Sequence, residues 1–246
     1  MKKLIRHFPK LYAKLSFTWR FLVRPRIFPS IFREKTLVYL GGNHGETLID
    51  IAHKFRKVYV FECNPITLEL LRNRVRYFQN IQLFPFAASN NFGTSIISIP
   101  NNGNFLGSAT IAGFSEHSQA HSVAEFEVTS VDLGQFLDML GVTCIDLYVS
   151  DIEGHDFIAL QSMKSFITKG LIKRIQVEVW NDAKPIPFSN ENLKCQERFF
   201  EEYLSSNYSK IAEGISNTDS LNWAIASDWN WKDVLWEIKN TKTNHS

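Results

Sequence analysis

Cysteine is scarce in this 246-residue chain: Cys63, Cys144 and Cys195 make an odd number, widely spaced and without a CxxC pair. That argues against a disulfide framework and a cysteine-based zinc site, and for a reducing, cytoplasmic setting. The apolar runs near the N-terminus are too short for a membrane span. They also lack the unbroken apolar core and small-residue cleavage site of a signal peptide. Internal repeats and low-complexity tracts are missing as well. What remains, 44% hydrophobic and 21% charged residues, suits one α/β domain with a sizeable core.

Acids are nearly missing from residues 1–35, where ten Lys/Arg face the single Glu34. The segment therefore carries +9 and, with a total of +2, leaves −7 for the rest. It is also rich in Leu, Ile, Phe, Tyr and Trp. A basic amphipathic extension of this kind can pack on the domain as an N-terminal cap, lie on a membrane surface, or contact nucleic acid. Packing is the plainest of the three, membrane-surface attachment comes second, and nucleic acid is favoured least. The chain then divides into this extension, 1–35, and a domain, 36–246.

The stretch 36–65, TLVYLGGNHGETLIDIAHKFRKVYVFECNP, organises that domain. Thr36–Leu40 is a short apolar run of the kind that a strand buried on both faces shows. Gly41-Gly42-Asn43-His44-Gly45 is a turn in which ligand can lie against bare backbone. Leu48, Ile51, Ala52 and Phe55 have the spacing of a helix with one buried face. Lys57–Phe61 reads as a second strand, and Glu62 stands just beyond it. Between Gly41 and Glu62 lie about the ~20 residues that separate a nucleotide-binding turn from the carboxylate accepting ribose hydroxyls. G-x-G-x-x-G itself is absent, because Asn43 stands where the second glycine would admit a pyrophosphate. A ligand with a ribose and no phosphate fits better, and S-adenosylmethionine is the obvious one. Gly-Gly-Asn alone would serve equally as a tight connection; Glu62 is what tips the reading.

Further along, Pro65 opens a helix over about 66–78. Residues 81–88 read as a third strand with a bend at Pro85, 94–99 as a short alternating strand, and 101–121 as a long polar loop suited to a lid. Residues 125–129 read as a strand, with Ser130 or Asp132 capping a helix to about Leu140. Strands at 145–150 and 172–180 flank a helix over 156–168, and a further helix spans 191–206. Residues 208–213 and 221–227 look like an antiparallel closing pair, and the Trp-rich tail 228–239 reads as a last helix. Alternating strands and helices predict a mostly parallel sheet covered on both sides.

In such sheets ligands bind outside the carboxyl ends of the strands. The ends at 41–45, 62–64, 88–90, 151–155 and 178–181 should therefore meet in one crevice. Asp151, with Glu153, His155 and Asp156 close by, is more acid than a solvated helix start requires, although for Asp156 the helix start suffices. Asp151 and His155 are candidates to accept a proton from an acceptor hydroxyl, with Glu178 a third. A divalent metal on Asp151, Glu153 and Glu178 is conceivable, but strand-end carboxylates are common and no metal is expected.

Four motifs in order, Leu40-Gly41-Gly42-Asn43-His44-Gly45-Glu46, Val60-Phe61-Glu62-Cys63-Asn64-Pro65, Ser130-Val131-Asp132-Leu133 and Asp146 to Asp156 (DLYVSDIEGHD), resemble the FkbM family of S-adenosylmethionine-dependent methyltransferases. The resemblance runs from about Thr36 to Trp180. It implies a Rossmann-like class I methyltransferase fold with helices on both faces of the sheet, usually acting on a hydroxyl of a sugar or other small molecule. It also implies that Gly41, Asn43, Gly45 and Glu62 line the cofactor, and that Asp151 and Glu153 lie beside the reaction centre. Gly42, Cys63, Asn64 and Ser89 are taken as flanking cofactor residues. Tyr39 departs from the family's usual acid and Gly42 from its usual alanine.

The expected function is O-methylation of a glycan or metabolite hydroxyl with S-adenosylmethionine as cofactor, Asp151, His155 and Glu153 serving the chemistry. Two rivals stand beside it. One is an RNA methyltransferase using residues 1–35 as a phosphate-contacting arm, and the other a nucleoside-binding module without turnover.

Overall fold

The computed structural model describes residues 35–100, 109–111, 123–180, 196–217, 222–224 and 231–239. The expected N-terminal cap, most of the polar loop and the loop after Trp180 lie outside them. The first part of the chain runs β1 (Thr36–Leu40), α1 (Glu46–Ala52), β2 (Lys57–Phe61), α2 (Pro65–Val75) and β3 (Ile81–Phe84). Three strands, β4 (Ala87–Ser89), β5 (Gly93–Pro100) and β6 (Val123–Asp132), then precede α3 (Leu133–Met139). Next come β7 (Leu147–Ser150), α4 (Asp156–Ser162), α5 (Lys164–Thr168) and β8 (Arg174–Trp180). The chain closes with α6 (Gln196–Leu204), β9 (Tyr208–Asn217), β10 (Asn222–Ala224) and β11 (Trp231–Ile238).

The main sheet has eight strands in the order β10-β9-β11-β8-β7-β1-β2-β3. β3, β2, β1, β7 and β8 pair in parallel, and β11 and then β9 and β10 pair antiparallel. β1 lies centrally, and the order reverses between β1 and β7, so a crevice opens at the carboxyl ends there. Both faces are covered, which is why these strands read as near-continuous apolar runs. Leu37, Tyr39, Val58, Val60 and Val149 pack against Leu48, Ile49, Leu71 and Val75 of α1 and α2. Val38, Leu40, Tyr148, Ile175, Val177, Val234 and Trp236 meet Leu133, Leu160, Phe166 and Phe200 from α3 to α6. Each fully buried Leu or Phe contributes about 1.5–3 kcal/mol.

Three elements differ from the sequence reading. The tail is a strand, not a helix: Val234 and Trp236 are buried while the residues between them face the other way, a period of two that sheet pairing exploits. β11 fits between β8 and β9, with its pairing to β8 running from Trp231 to Glu237. Residues 81–88 are two strands in different sheets. Proline has no N–H to offer a ladder, and after Pro85 the chain leaves β2 and joins β6 in the three-stranded sheet β4-β6-β5. The helix expected over 156–168 breaks at Met163 into α4 and α5. Among the described residues no helix is long and apolar enough to cross a membrane.

Candidate active site

At the end of β1 the chain makes its glycine turn. Gly41 has φ +79°, and a Cβ there would stand 1.9 Å from the Asp151 carbonyl oxygen. Only a residue without a side chain lets β1 and β7 run this close at their ends. Gly42 and Gly45 serve a different neighbour. A Cβ on either would lie 2.5–2.6 Å from the methyls of Leu71, so they admit α2 and do not line the cleft.

Glu62, 7% exposed, ties the turn to the end of β2. Its Oε2 accepts from the Asn43 N–H (2.6 Å) and its Oε1 from the Asn64 N–H (2.8 Å). Asn64 in turn caps α2, its Oδ1 accepting from the Ile66 N–H at 2.9 Å. Burial pushes the Glu62 carboxyl up, and the two backbone donors with the Thr67 hydroxyl pull against that. Beside it, burial and then the Glu62 charge push the Cys63 thiol up to about 12, so Cys63 is no nucleophile at neutral pH.

Across the opening stands the loop after β7, whose shape comes from Asp156. That side chain is fully buried; it accepts from the Ser150 hydroxyl (2.5 Å) and from the N–H groups of Ile152 and Gly154 (both 3.2 Å). Burial raises its pKa to about 6 against these donors, leaving it mostly ionised at neutral pH. Its part is to knit the loop: it stands in the first turn of α4, where the sequence reading placed it, but its carboxylate bonds back into the loop. Glu153 adopts φ +52°, and its carbonyl accepts from the Thr110 hydroxyl at 2.6 Å. His155 is 7% exposed, and burial lowers its pKa to about 4. Its Nε2 is 3.1 Å from the Ser89 hydroxyl, which also reaches Asn91 Oδ1 at 3.3 Å. A single hydroxyl proton aimed at Asn91 makes Nε2–H the donor to Ser89 and leaves Nδ1 as the basic nitrogen.

Asp151 is open to solvent in the cleft yet set deep among protein atoms. That depth, followed by the charges of Asp156, Asp233 and Glu62, pushes its carboxyl upward. Among the described residues its side chain accepts no hydrogen bond.

These walls enclose an open cleft of about 680 Å³. Gly41, Asn43, Glu62, Cys63, Asn64, Asp151, Glu153 and His155 all line it. Ser89 stands behind His155, and Glu178, 5% exposed, accepts from the Trp180 indole at 3.0 Å. The sequence reading missed Thr67, Phe86, Ile97, Ala109 and Ile111 on the walls, residues whose types carry no chemical signal. It also missed Asp233, hidden in the tail taken for a helix; the alternation of Val234 and Trp236 was the available clue. Among the described residues no three His, Cys, Asp or Glu side chains are placed to hold a metal ion.

A nucleoside-bearing cofactor suits this cradle. Gly41 brings bare backbone to the cleft wall, and Asn43 contributes a buried Oδ1 with no hydrogen-bond partner among the described residues.

A doubly covered, mostly parallel sheet with such a cleft at its switch point defines a Rossmann-like α/β protein of the class I methyltransferase type. The chain belongs to the FkbM methyltransferase family: the profile described as "Methyltransferase FkbM domain" matches residues 40–195, more than half of the chain. No curated protein sequence matches it. Among solved structures it is similar to an rRNA methylase from Streptococcus thermophilus (10% identity, 87% of this chain and 95% of that chain, TM-score 0.45). It is also similar to the N-methyltransferase NodS from Bradyrhizobium japonicum (9%, 92% and 96%, 0.45). A third is Aeropyrum pernix fibrillarin with natively bound S-adenosyl-L-methionine (11%, 87% and 73%, 0.45).

Proposed function

We propose that this chain is an S-adenosylmethionine-dependent methyltransferase that methylates a hydroxyl oxygen of a sugar, glycan or other small metabolite. The observation that carries the reading is the shared cleft: Glu62 beyond β2 and Asp151 beyond β7 line one opening at the carboxyl ends of the strands. A carboxylate has about four acceptor sites. The Asn43 and Asn64 amides use two at Glu62 and the Thr67 hydroxyl a third, so one remains for a ribose hydroxyl. Gly41 and Asn43 leave the backbone accessible beside them, and Cys63 and Asn64 flank the nucleoside.

Bound S-adenosylmethionine would supply an electrophilic methyl group on a sulfonium. The protein's work is then to hold an acceptor in line and remove its proton. Asp151, accepting no other hydrogen bond among the described residues, orients the acceptor hydroxyl and takes that proton. His155 stays neutral above pH 4 or so and offers Nδ1 as a second acceptor, with Ser89 holding its ring. Glu153 supports the same wall through Thr110.

Calorimetric titration with S-adenosylhomocysteine tests the cofactor half. Wild type is expected to bind, and Glu62→Ala to bind at least about tenfold more weakly, the loss expected of a charge-assisted hydrogen bond. Glu62→Gln, which keeps the shape, serves as the folded control. Absent binding by wild type, or undiminished binding in both variants, overturns the reading. Transfer of labelled methyl to a panel of sugars and hydroxylated metabolites then tests the acceptor half.

A further inference from the structure

Three carboxylates stand side by side at the carboxyl edge of the main sheet. Asp233 in β11 lies opposite Glu178 in β8. Ser150 pairs with Val177, so Asp151 follows directly beside Glu178. Side-chain alternation puts all three on one face. Val177, Val179 and Val234 point into the core under α3 to α6, so Glu178 and Asp233 point the other way. Val149, two residues before Asp151, points to that same side. Opposed like charges on neighbouring strands are destabilising, and carboxylates this close do not all ionise together.

The three are not equivalent. Glu178 is 5% exposed and its Oε2 is clamped by the Trp180 indole. Asp151 opens to the cleft and its carboxylate accepts no hydrogen bond among the described residues. The Trp180 donor by itself favours a charged Glu178, but burial outweighs it and decides which of the two gives up its charge.

We propose that Asp151 and Glu178 do not ionise together, Glu178 being the protonated partner and a positioning residue that leaves the pair's single charge on Asp151 at the cleft. Glu178 is raised far above the carboxylate range by burial first and by Asp151 second, in keeping with this arrangement. Among the described residues the other groups around Asp151 are Tyr39 on β1, Glu62 after β2, Asp156 on α4, Asp233 on β11, and Glu153 and His155 in its own loop. All but His155 and Tyr39 are acids, and His155 is neutral near pH 7. A neutral Glu178 spares the cleft a second charge, so Asp151 can ionise and take a hydroxyl proton.

The inference rests on the methyltransferase reading for its purpose but not for its test. In the full-length protein with 13C-labelled Asp and Glu carboxyls, the Asp151 and Glu178 resonances are expected to titrate as a coupled pair. Asp151 would change first on raising the pH and Glu178 well above it. Glu178→Gln mimics the protonated partner, so folding, S-adenosylhomocysteine affinity and the Asp151 transition should all be kept while the higher step disappears. The acid limb of the methyl-transfer pH profile should stay with it. An Asp151 transition that Glu178→Gln moves down by about one pH unit or more overturns the proposal, because Glu178 would then be charged while Asp151 titrates, as does a Glu178 that ionises before Asp151. Loss of transfer in Glu178→Gln with the Asp151 titration unchanged would make Glu178 itself the base, and equally overturns it. If no methyl transfer or cofactor binding is found at all, the resonance titration still decides the proton's place.

Discussion

One methyl group at position 41 is enough to disturb the site, because the Asp151 carbonyl occupies the space where a Cβ would go. The left-handed backbone at Gly41 alone costs an alanine about 1–2 kcal/mol, before the clash with β7 is met. Gly41→Ala is therefore expected to lower the urea midpoint and to abolish S-adenosylhomocysteine binding. A variant with wild-type midpoint and affinity would show that the turn tolerates a side chain and that the cradle is drawn wrongly. At this scale much was legible in the sequence. Glycines, Glu62 and the Asp-x-Glu-Gly-His run announce themselves by type and spacing. Asp156 did not: nothing in its neighbours says that it will be fully buried under three donors, since that depends on how tightly the loop closes over β7.

At the scale of elements, the decisive piece is β11. It joins β8 to β9 and brings Asp233 beside Glu178. Trp236, 4% exposed, anchors it in the core under α3 to α6. Trp236→Ala should cost about 3–5 kcal/mol, the usual range for emptying a large aromatic site, and Trp236→Phe clearly less. Equilibrium denaturation measures both; an alanine variant within about 1 kcal/mol of wild type would mean that the strand is peripheral. Single-sequence reading failed here because eight residues with three apolar positions on one side satisfy either periodicity over so short a span. It failed for residues 81–88 for another reason. Pro85 marked an interruption, but which sheet the chain joins afterwards is a matter of partners, and β6 lies forty residues away.

For the molecule as a whole, pH reports how the buried groups are balanced. His155 titrates near 4 folded against about 6.5 unfolded, so the unfolded chain binds its proton first as pH falls. The stability this contributes is complete above about 6.5 and is lost between there and pH 4, amounting to about 3 kcal/mol. Asp156 acts in the opposite sense. Its raised folded pKa, about 6, favours the native state at low pH and is a cost once the pH rises past 6. The measurable consequence is a difference: urea midpoints of wild type and His155→Gln should converge as the pH drops from 6.5 to 4. A constant gap across that window would mean that His155 charges as easily in the fold as outside it.

The sequence by itself determined the strand–turn–helix–strand unit from Thr36 to Phe61, the start of α2 at Pro65, and the acid at position 62. Each follows from local physics: apolar runs, backbone freedom at glycine, and proline at a helix start. Only the tertiary structure decided that Asp151 meets Glu62 across one cleft, that Ser89 steadies His155, and that Glu178 and Asp233 crowd Asp151. Those contacts join residues 27 to 89 positions apart, and they depend on strand order and register, which no local preference encodes.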